Sequence, residues 1–389
     1  MQLLQRPCMA ARCGASSIIG CSRQCRLSQL KSPISALSKS TITTMPATVD
    51  FYRRSLRKKR ASELPTPATR SFPAPAHNRS PTQRGHENEA AATTTEPTIH
   101  SIFEPKTGTW QYIVSDPSTC KAVIIDAVLD YDPATQEITT SSADSLLSLV
   151  KQENYVVELV LETHAHADHL TAASYLQARL AEEQGSAPPI GIGERIGQVQ
   201  QTFGEKYGID ETTYNGVFDR LFKDDETFSV GNLSAKVIHL PGHTPDHLGY
   251  MIGHNIFCGD SLFNTDLGTA RADFPGGSAE HLYASGRKLL GLPDHVKIYV
   301  GHDYPPADRE DPVPYMTVGE HKRENKHLKE GTTEEEFVAL RRERDGNLAA
   351  PKLLHPSLQV NIRAGRLPSP TGLGMRMVHL PLKTGGVEW

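Results

Sequence analysis

A stretch of six residues, His-Ala-His-Ala-Asp-His, contains four side chains that can bind a metal ion: His164, His166, Asp168 and His169. The apolar run Val156–Leu161 comes directly before this motif and predicts a buried strand. A strand that ends in a tight turn can direct all four side chains into one cleft. This spacing predicts a metal centre, and we expect the chain to be a metalloenzyme.

Three further candidate ligands each follow an apolar run and a glycine: His243, Asp260 and His302. Catalytic groups collect in loops that a rigid scaffold carries, and glycine permits the tight turns that bring such loops together. Imidazole and carboxylate ligands in combination suit zinc, iron or manganese. Because no cysteine belongs to the set, a purely structural zinc site is disfavoured.

The bulk properties of the chain restrict its partners. The 389 residues have a net charge of −4 and a mean hydropathy of −0.42. No window resembles an uncharged apolar membrane span of about 18 residues, and the acidic body disfavours nucleic acid. Beyond residue 25 the cysteines are Cys120 and Cys258, which suits a reducing compartment. We therefore expect neither a membrane nor a nucleic acid as partner.

The N-terminal region differs from the rest of the chain. Residues 1–60 carry twelve Lys and Arg and a single acid, Asp50. A Ser- and Arg-rich segment without acids is typical of an organelle transit peptide, so residues 1–50 predict import into the mitochondrial matrix. A basic tail, or Met45 as the true initiator, is the alternative. Residues 51–97 are rich in Pro, Thr, Ala and Ser and predict a disordered linker.

The pattern of elements predicts one catalytic domain over residues 98–389. Strands collect at the start of each half and helices follow, which indicates two mixed sheets packed face to face with helices outside, a four-layer αββα sandwich. The C-terminal segment is predicted to be helical, and we expect it to offer a surface for a homodimer. The predicted helices cover about 143–152, 170–182, 194–203, 279–290, 318–329 and 334–344.

The order of the ligand motifs resembles that of the metallo-β-lactamase superfamily over about residues 98–310. Three segments narrow the resemblance to the persulfide dioxygenase family: Gly259–Phe263, Gly268–Phe274 and Gly301–Tyr304. Two tail segments, Leu348–Pro351 and Pro356–Asn361, resemble bacterial-type members of that family. The superfamily series is specific for the fold and weak for the reaction.

The resemblance implies one Fe(II) per chain, held by His164, His243 and Asp260. Two histidines and one carboxylate on one face leave positions open for substrate and oxygen. The implied reaction consumes glutathione persulfide, O2 and water and yields glutathione and sulfite, as in sulfide detoxification. Coenzyme A and protein persulfides remain alternative substrates. The other four motif side chains would orient the ligands and tune the metal, or hold a second metal: His166, Asp168, His169 and His302.

Two residues are candidates for binding the substrate. The family places an arginine near its substrate at the position of Arg271, and a guanidinium can bind a carboxylate through two hydrogen bonds. The alternative is that Arg271 pairs with Asp273 or Asp266 as a loop brace. Tyr304 is expected to line the pocket. Some members of the family carry a cysteine where Thr269 stands, so any role of that thiol is absent here.

Glyoxalase II is the main alternative within the same fold. This thioester hydrolase resembles the chain in its ligand series, and all seven ligands that it uses for two metals, with zinc as the expected ion, are present. The Gly268–Phe274 segment favours the dioxygenase, and Gly301–Tyr304 differs from the Glu-containing version expected in glyoxalase II. A binding domain without activity is a third hypothesis, which the complete ligand set disfavours.

Overall fold

Strand β1, Thr98–Glu104, lies two residues after the start of the part of the chain that the computed structural model describes, residues 96–386. The predicted transit peptide, and the predicted linker as far as residue 95, lie outside the described residues. Two six-stranded sheets and one three-stranded sheet follow. Their other strands are β2 Thr109–Ser115, β3 Lys121–Ile125, β4 Val128–Asp132, β5 Glu137–Thr139, β6 Val156–Leu161, β7 Leu170–Thr171, β8 Ile190–Gly193, β9 Arg220–Phe222, β10 Thr227–Val230, β11 Leu233–His239, β12 Leu248–Ile252, β13 Asn255–Phe257, β14 Lys297–Tyr299 and β15 Tyr315–Thr317.

The two large sheets divide the strands by sequence. The first has the order β1-β2-β3-β6-β8-β9, the second β10-β11-β12-β13-β14-β15, and a small sheet has the order β5-β4-β7. Strands β3, β6, β8 and β9 run parallel to one another, while most pairs of the second sheet are antiparallel. The first half of the domain therefore builds one sheet and the second half builds the other.

Seven helices cover the outer faces of the sheets in the described residues. Helices α1 and α2 follow strands β5 and β7 of the small sheet, α3 follows β8 of the first sheet, and α4 to α7 belong to the second half and the C-terminal segment. Their bounds are α1 Ser141–Gln152, α2 Ala173–Gln184, α3 Ile196–Tyr207, α4 Ala279–Leu290, α5 Val318–Glu324, α6 Glu334–Asp345 and α7 Leu354–Asn361.

Alternation along the strands produces the layers. In β2, Tyr112 belongs to the cluster between the two sheets, whereas Ile113 packs with α1, α2 and α3. Successive side chains of a strand point to opposite faces, so one sheet buries both. A third cluster joins Ile256 and Ile298 of the second sheet to α4, α5 and α6. The predicted four-layer αββα sandwich is confirmed.

Three predicted helix boundaries are wrong. Leu170 and Thr171 pair with β4 as strand β7, so the helix expected at 170–182 begins only at Ala173. The helix expected at 318–329 ends at Glu324, because the Asn325 side chain accepts hydrogen bonds from the next free amides, at 3.0 Å from His327 and 2.9 Å from Leu328. The helix expected at 194–203 lies at Ile196–Tyr207. Helix α7 was not predicted.

The strands deliver the candidate ligands to one edge. Strands β3 and β6 are parallel, and so are β13 and β14, while β11 runs in the same direction as β13 because two antiparallel pairings separate them. The carboxyl ends of these strands therefore share an edge within each sheet. The six-residue motif follows β6, and the later candidates follow β11, β13 and β14. No helix within residues 96–386 combines the length and the apolar character that crossing a membrane requires.

We predict that Leu176→Ala lowers the free energy of unfolding by about 2–5 kcal/mol, because this α2 side chain is 0% exposed in the core between the first sheet and the helices. Urea unfolding followed by circular dichroism measures the change. Leu221→Ala is the control, since Leu221 is 49% exposed, and its expected effect is within about 0.5 kcal/mol. Equal losses in both variants would contradict the assignment of this core.

Candidate metal centre

The structure brings all seven predicted ligands together in two neighbouring groups. His164, His243 and Asp260 form one group, in which one potential ligand atom from each residue lies within 4.8 Å of the others. The second group meets the same distance and contains His166, Asp168, His169 and His302. Asp260 lies between the groups, with Oδ2 at 3.6 Å from His243 Nε2 and Oδ1 at 3.5 Å from His302 Nε2.

Glycines allow the loops to approach this closely. Gly242, directly before His243, has a φ of +140°, and a Cβ there would collide with the backbone of Leu282 in α4. A Cβ at Gly301, directly before His302, would collide with the Asp260 carboxylate. Only glycine accommodates both the backbone angle at the first position and the contact at the second. His243 and His302 can therefore reach the centre only because a glycine precedes each of them.

A relay of hydrogen bonds fixes the first histidine. The Thr163 hydroxyl donates to Asp126 Oδ2 at 2.8 Å, so its oxygen accepts the Nδ1 proton of His164 at 3.0 Å. The Thr163 amide donates to the other oxygen of Asp126 at 2.8 Å. This arrangement leaves the Nε2 lone pair of His164 free to bind a metal, because the hydrogen bond of one ring nitrogen sets the role of the other.

His166 is oriented by two buried carboxylates. Its Nε2 lies 3.1 Å from an oxygen of Asp126 and 3.4 Å from one of Glu162. Both partners are acceptors, so Nε2 carries a proton and Nδ1 faces the centre. Glu162 is in turn held by the Thr171 hydroxyl at 2.5 Å. These carboxylates are the outer partners that metal-binding histidines usually have.

The remaining histidines also donate through the nitrogen that faces away from the centre. His243 Nδ1 donates to the carbonyl of Arg271 at 2.7 Å, and His169 Nδ1 donates to the carbonyl of Leu170 at 3.1 Å. His302 Nδ1 lies 3.3 Å from the Thr109 hydroxyl. In each ring Nε2 is left for a ligand bond. In all five imidazoles one ring nitrogen therefore contacts the protein and the other is left for the centre.

Helix α6 braces the loop that carries the Arg271 carbonyl. The fully buried Arg341 donates to the carbonyls of Thr269 and Ala270 at 3.0 and 2.8 Å, and to Asp345 at 2.6 Å. Asp345 accepts the amide of Ala272 at 2.9 Å. Both ends of this buried ion pair have hydrogen-bond partners, which is the condition for such a pair to be tolerated. The brace fixes the acceptor that orients His243.

The donor set fits a metal ion. Six buried polar atoms that face the centre have no hydrogen-bond partner among the described residues: Nε2 of His164, His169 and His302, Nδ1 of His166, Oδ2 of Asp168 and Oδ1 of Asp260. Buried polar atoms are nearly always paired. Their concentration at one point has a physical explanation if they are ligand atoms, and their chemistry is that of a zinc, iron or manganese site.

Burial and charge set the protonation of these groups. Burial lowers the pKa of His164 well below its ordinary value, and it lowers the pKa of His169 to about 4. Both rings are therefore neutral near pH 7 and can bind a cation. Burial also acts to lower the pKa of His166, but the carboxylates of Asp126 and Glu162 outweigh it and raise that pKa. A metal that binds His166 must displace a proton.

Three contributors to the centre were missed from the sequence. The sequence pattern predicts Asp126 and Glu162 only as the last residues of strands, and it does not single out His247. His247 stacks on His164 with ring centroids 4.6 Å apart and accepts the amide of Asp260 at 2.9 Å. The signal that could have found them is the position of each polar residue beside an apolar strand or a ligand motif.

A cavity of about 710 Å³ opens onto the metal centre. His243, Asp260 and Asp168 line its inner end, and both predicted substrate-binding residues line its wall. Arg271 pairs with Asp273 through two hydrogen bonds of 2.5 and 2.6 Å and donates to the carbonyl of Ala349 at 2.8 Å, which is the loop brace expected as its alternative role. Tyr304 stacks on His302 at 5.8 Å and is 49% exposed.

Comparison with known proteins defines the class. The family model of the metallo-beta-lactamase superfamily matches residues 107–302, half of the chain, and the chain belongs to this superfamily. It is similar to Glyoxylase B2 of Dictyostelium discoideum, with 44% identity over 73% of this chain and 96% of the relative. Two bacterial relatives called beta-lactamase hydrolase-like protein are longer, and the chain spans about two thirds of their length, 67% and 66%.

More distant relatives point in two directions. The mitochondrial persulfide dioxygenase ETHE1 of Bos taurus is 28% identical over 69% of this chain and 88% of its own length. The crystal structure of ETHE1 from Myxococcus xanthus superposes with a TM-score of 0.54 and 27% identity, covering 69% of this chain and 100% of that one. The hydroxyacylglutathione hydrolase GloC of Haemophilus influenzae is 33% identical over 48% of this chain and 82% of its own.

We predict that Asp126→Asn weakens metal binding by about 10- to 100-fold. Both oxygens of Asp126 accept hydrogen bonds. Asparagine replaces one of these oxygens by an NH2 group, which would face a hydrogen-bond donor at either position and lose the bond. The measurement is the dissociation constant of Co(II), from competition with a chelator of known affinity. Asp116→Asn is the matched control, because Asp116 is equally buried after the neighbouring strand but binds Ser118 and Asn232 instead. Unchanged affinity in Asp126→Asn would refute the relay.

Proposed function

We propose that this protein is an iron-dependent persulfide dioxygenase. The observation that carries the proposal is the separate group of His164, His243 and Asp260, because two histidines and one carboxylate around open positions are the ligand set of non-haem Fe(II) oxygenases. The reaction is GSSH + O2 + H2O → GSH + SO3²⁻ + 2 H⁺. Similarity to two ETHE1 proteins supports this choice among the reactions of the superfamily.

The chain has distinct tasks in this reaction. His164, His243 and Asp260 would hold the iron, and bound iron would supply the one-electron and oxygen chemistry that no side chain here carries. Phe263, Leu267 and Leu353 give the cavity an apolar wall, which excludes water around the persulfide sulfur. Asp126 and Thr163 keep the proton of His164 on Nδ1, so Nε2 stays available to hold the iron.

The charges of the cavity support an anionic thiol such as glutathione. Lys106, Arg344 and Lys352 line the cavity and form no ion pair among residues 96–386, and one nitrogen of Arg344 contacts the ring of His327. Glutathione carries two carboxylates, which these cations can bind. Arg271 uses three of its hydrogen-bond donors on Asp273 and Ala349 and keeps two of the five that a guanidinium offers. We assign it a contact at the edge of the substrate rather than the main anchor.

The cellular setting is part of the same proposal. The basic segment at residues 1–50 supports import into the mitochondrial matrix, where sulfide oxidation would supply persulfides. A homodimer built on the C-terminal helices belongs to this proposal as well, and gel filtration with light scattering tests it.

Thioester hydrolysis of the glyoxalase II type is the second candidate. The observation that favours it is the second group, His166, Asp168, His169 and His302, which has the composition of another metal site. Two metals held by the two groups, between which Asp260 lies, would supply an activated water for attack on a thioester carbonyl. The similarity to Glyoxylase B2 and to the hydrolase GloC supports this alternative.

Oxygen uptake by the purified protein, loaded with Fe(II) and given glutathione persulfide, separates the two reactions. We expect uptake with equimolar sulfite, lost in His164→Ala and Asp260→Ala, because these variants remove ligands of the first group. Asp168→Ala changes only the second group and should retain measurable uptake. The hydrolase reading requires instead that zinc-loaded protein cleaves lactoylglutathione and that Asp168→Ala abolishes cleavage. Absence of uptake at verified iron occupancy would refute the dioxygenase.

We further predict that Lys352→Gln and Arg344→Gln each raise KM for glutathione persulfide by about 2- to 5-fold and leave kcat nearly unchanged, as loss of an exposed ion pair of up to about 1 kcal/mol implies. Steady-state oxygen uptake gives both constants. Lys151→Gln, at the exposed end of α1, is the charge-matched control. For a persulfide without carboxylates, KM should be the same in these variants as in the wild type. An unchanged KM for glutathione persulfide in both variants would show that these cations do not bind the substrate.

A further inference from the structure

Helix α7 inserts one side chain behind the metal-binding motif. Asn361 is 3% exposed, and its Nδ2 donates to the carbonyls of His166 and His169 at 2.8 Å each. Its Oδ1 accepts the amide of Thr171 at 2.9 Å. The contact joins residues 190 to 195 positions apart in the chain. One carboxamide therefore ties both ends of the turn that carries three of the candidate ligands.

The motif turn is held by side chains rather than by regular secondary structure. In its first half the amides of Thr163 and Ala165 donate to Asp126 and Asp246, at 2.8 and 2.9 Å, and Asn361 serves its second half. Between Leu161, the end of β6, and Leu170, the start of β7, the chain forms neither helix nor strand. Its conformation must come from contacts with other parts of the chain, since buried backbone carbonyls require donors. Asn361 supplies donors to two carbonyls three residues apart. Asparagine suits this place because aspartate lacks N–H donors and glutamine is one methylene longer.

The helix that carries Asn361 is itself firmly placed. Leu358 and Val360 of α7 lie in the core against the first sheet, and Gln200 of α3 donates to the carbonyl of Ile362, directly after α7, at 2.9 Å. Because these contacts fix α7, the Asn361 side chain holds the motif turn in a defined position. We propose that Asn361 is a positioning residue that sets the geometry of the metal centre, which makes the C-terminal helix α7 a functional part of that centre.

The proposal holds for either candidate reaction, because the turn that Asn361 ties begins two residues after His164 of the first group and itself carries three ligands of the second. It differs from a merely structural role, in which Asn361 would stabilise the fold without affecting the metal. Gln359 gives a matched comparison on the same helix. It is 2% exposed, its Nε2 donates to the carbonyls of His355 and His379 at 2.8 Å each, and its Oε1 accepts the amide of His379 at 2.8 Å. Two of these bonds hold the tail at His379 and the third lies within α7, so none of them reaches the motif.

The test compares Asn361→Asp and Asn361→Leu with Gln359→Glu and Gln359→Leu in the purified full chain. Co(II) is the probe, with its dissociation constant measured by chelator competition and its coordination read from the visible d–d bands. We expect the Asn361 variants to bind about 10- to 100-fold more weakly, as for other partners of metal ligands, with altered bands. The Gln359 variants should show wild-type bands and affinity within about 3-fold, although both pairs lose stability.

Two results would overturn the proposal. One is a wild-type Co(II) spectrum and affinity in folded Asn361 variants. The other is an equal loss of affinity in the Asn361 and Gln359 variants, which would reduce both residues to general stabilisation. Asn361→Ser is the second variant if the first two do not unfold cooperatively, because its smaller side chain leaves room for a water molecule that keeps the carbonyls solvated. The same two readouts then decide.

Discussion

A single buried carboxylate, that of Asp126, connects the scaffold to the chemistry. Its oxygens accept from the amide and hydroxyl of Thr163 and from His166, so two successive histidines of the motif take their orientation from it. Asp126 adopts a φ of +53°, an angle that costs energy for a residue other than glycine. Such a conformation persists where the surroundings over-determine it, and here its amide also donates to Leu161 at 3.0 Å. The strained angle places the carboxylate beneath the motif.

The centre concentrates charge in a way that couples folding to metal binding. Asp126, Glu162, Asp168 and Asp260 are all placed beside buried imidazoles, and burial raises the pKa of both Glu162 and Asp260. Carboxylates removed from water are costly unless cations balance them. A bound metal provides that balance and binds only the folded arrangement, so it stabilises the fold by mass action. The same side chains therefore determine both metal affinity and the free energy of unfolding of the domain.

Features that depend on residues close together in the sequence could be predicted, whereas features that depend on contacts between distant positions could not. The motif at His164–His169 and the ligands after glycines were visible because each signal spans a few residues. Asn361 was noticed only as part of a tail segment, because its bonds reach across more than 190 positions. The fold class followed from strand and helix order, as the three buried clusters confirm. The start of α2 did not, because Leu170 and Thr171 pair with β4 rather than with their neighbours.

Seven ligand-type side chains meet at the centre, although the proposed dioxygenase needs only three of them to hold one iron. His302 Nε2 lies 3.1 Å from Asp168 and 3.5 Å from Asp260. Burial acts to lower the pKa of His302, but the two carboxylates outweigh it and raise the pKa, while burial is outweighed in the same way at Asp168, whose pKa falls to about 2. His302 contacts Asp168 within the second group itself and Asp260 between the groups, and one iron held by His164, His243 and Asp260 would be compatible with the complete set.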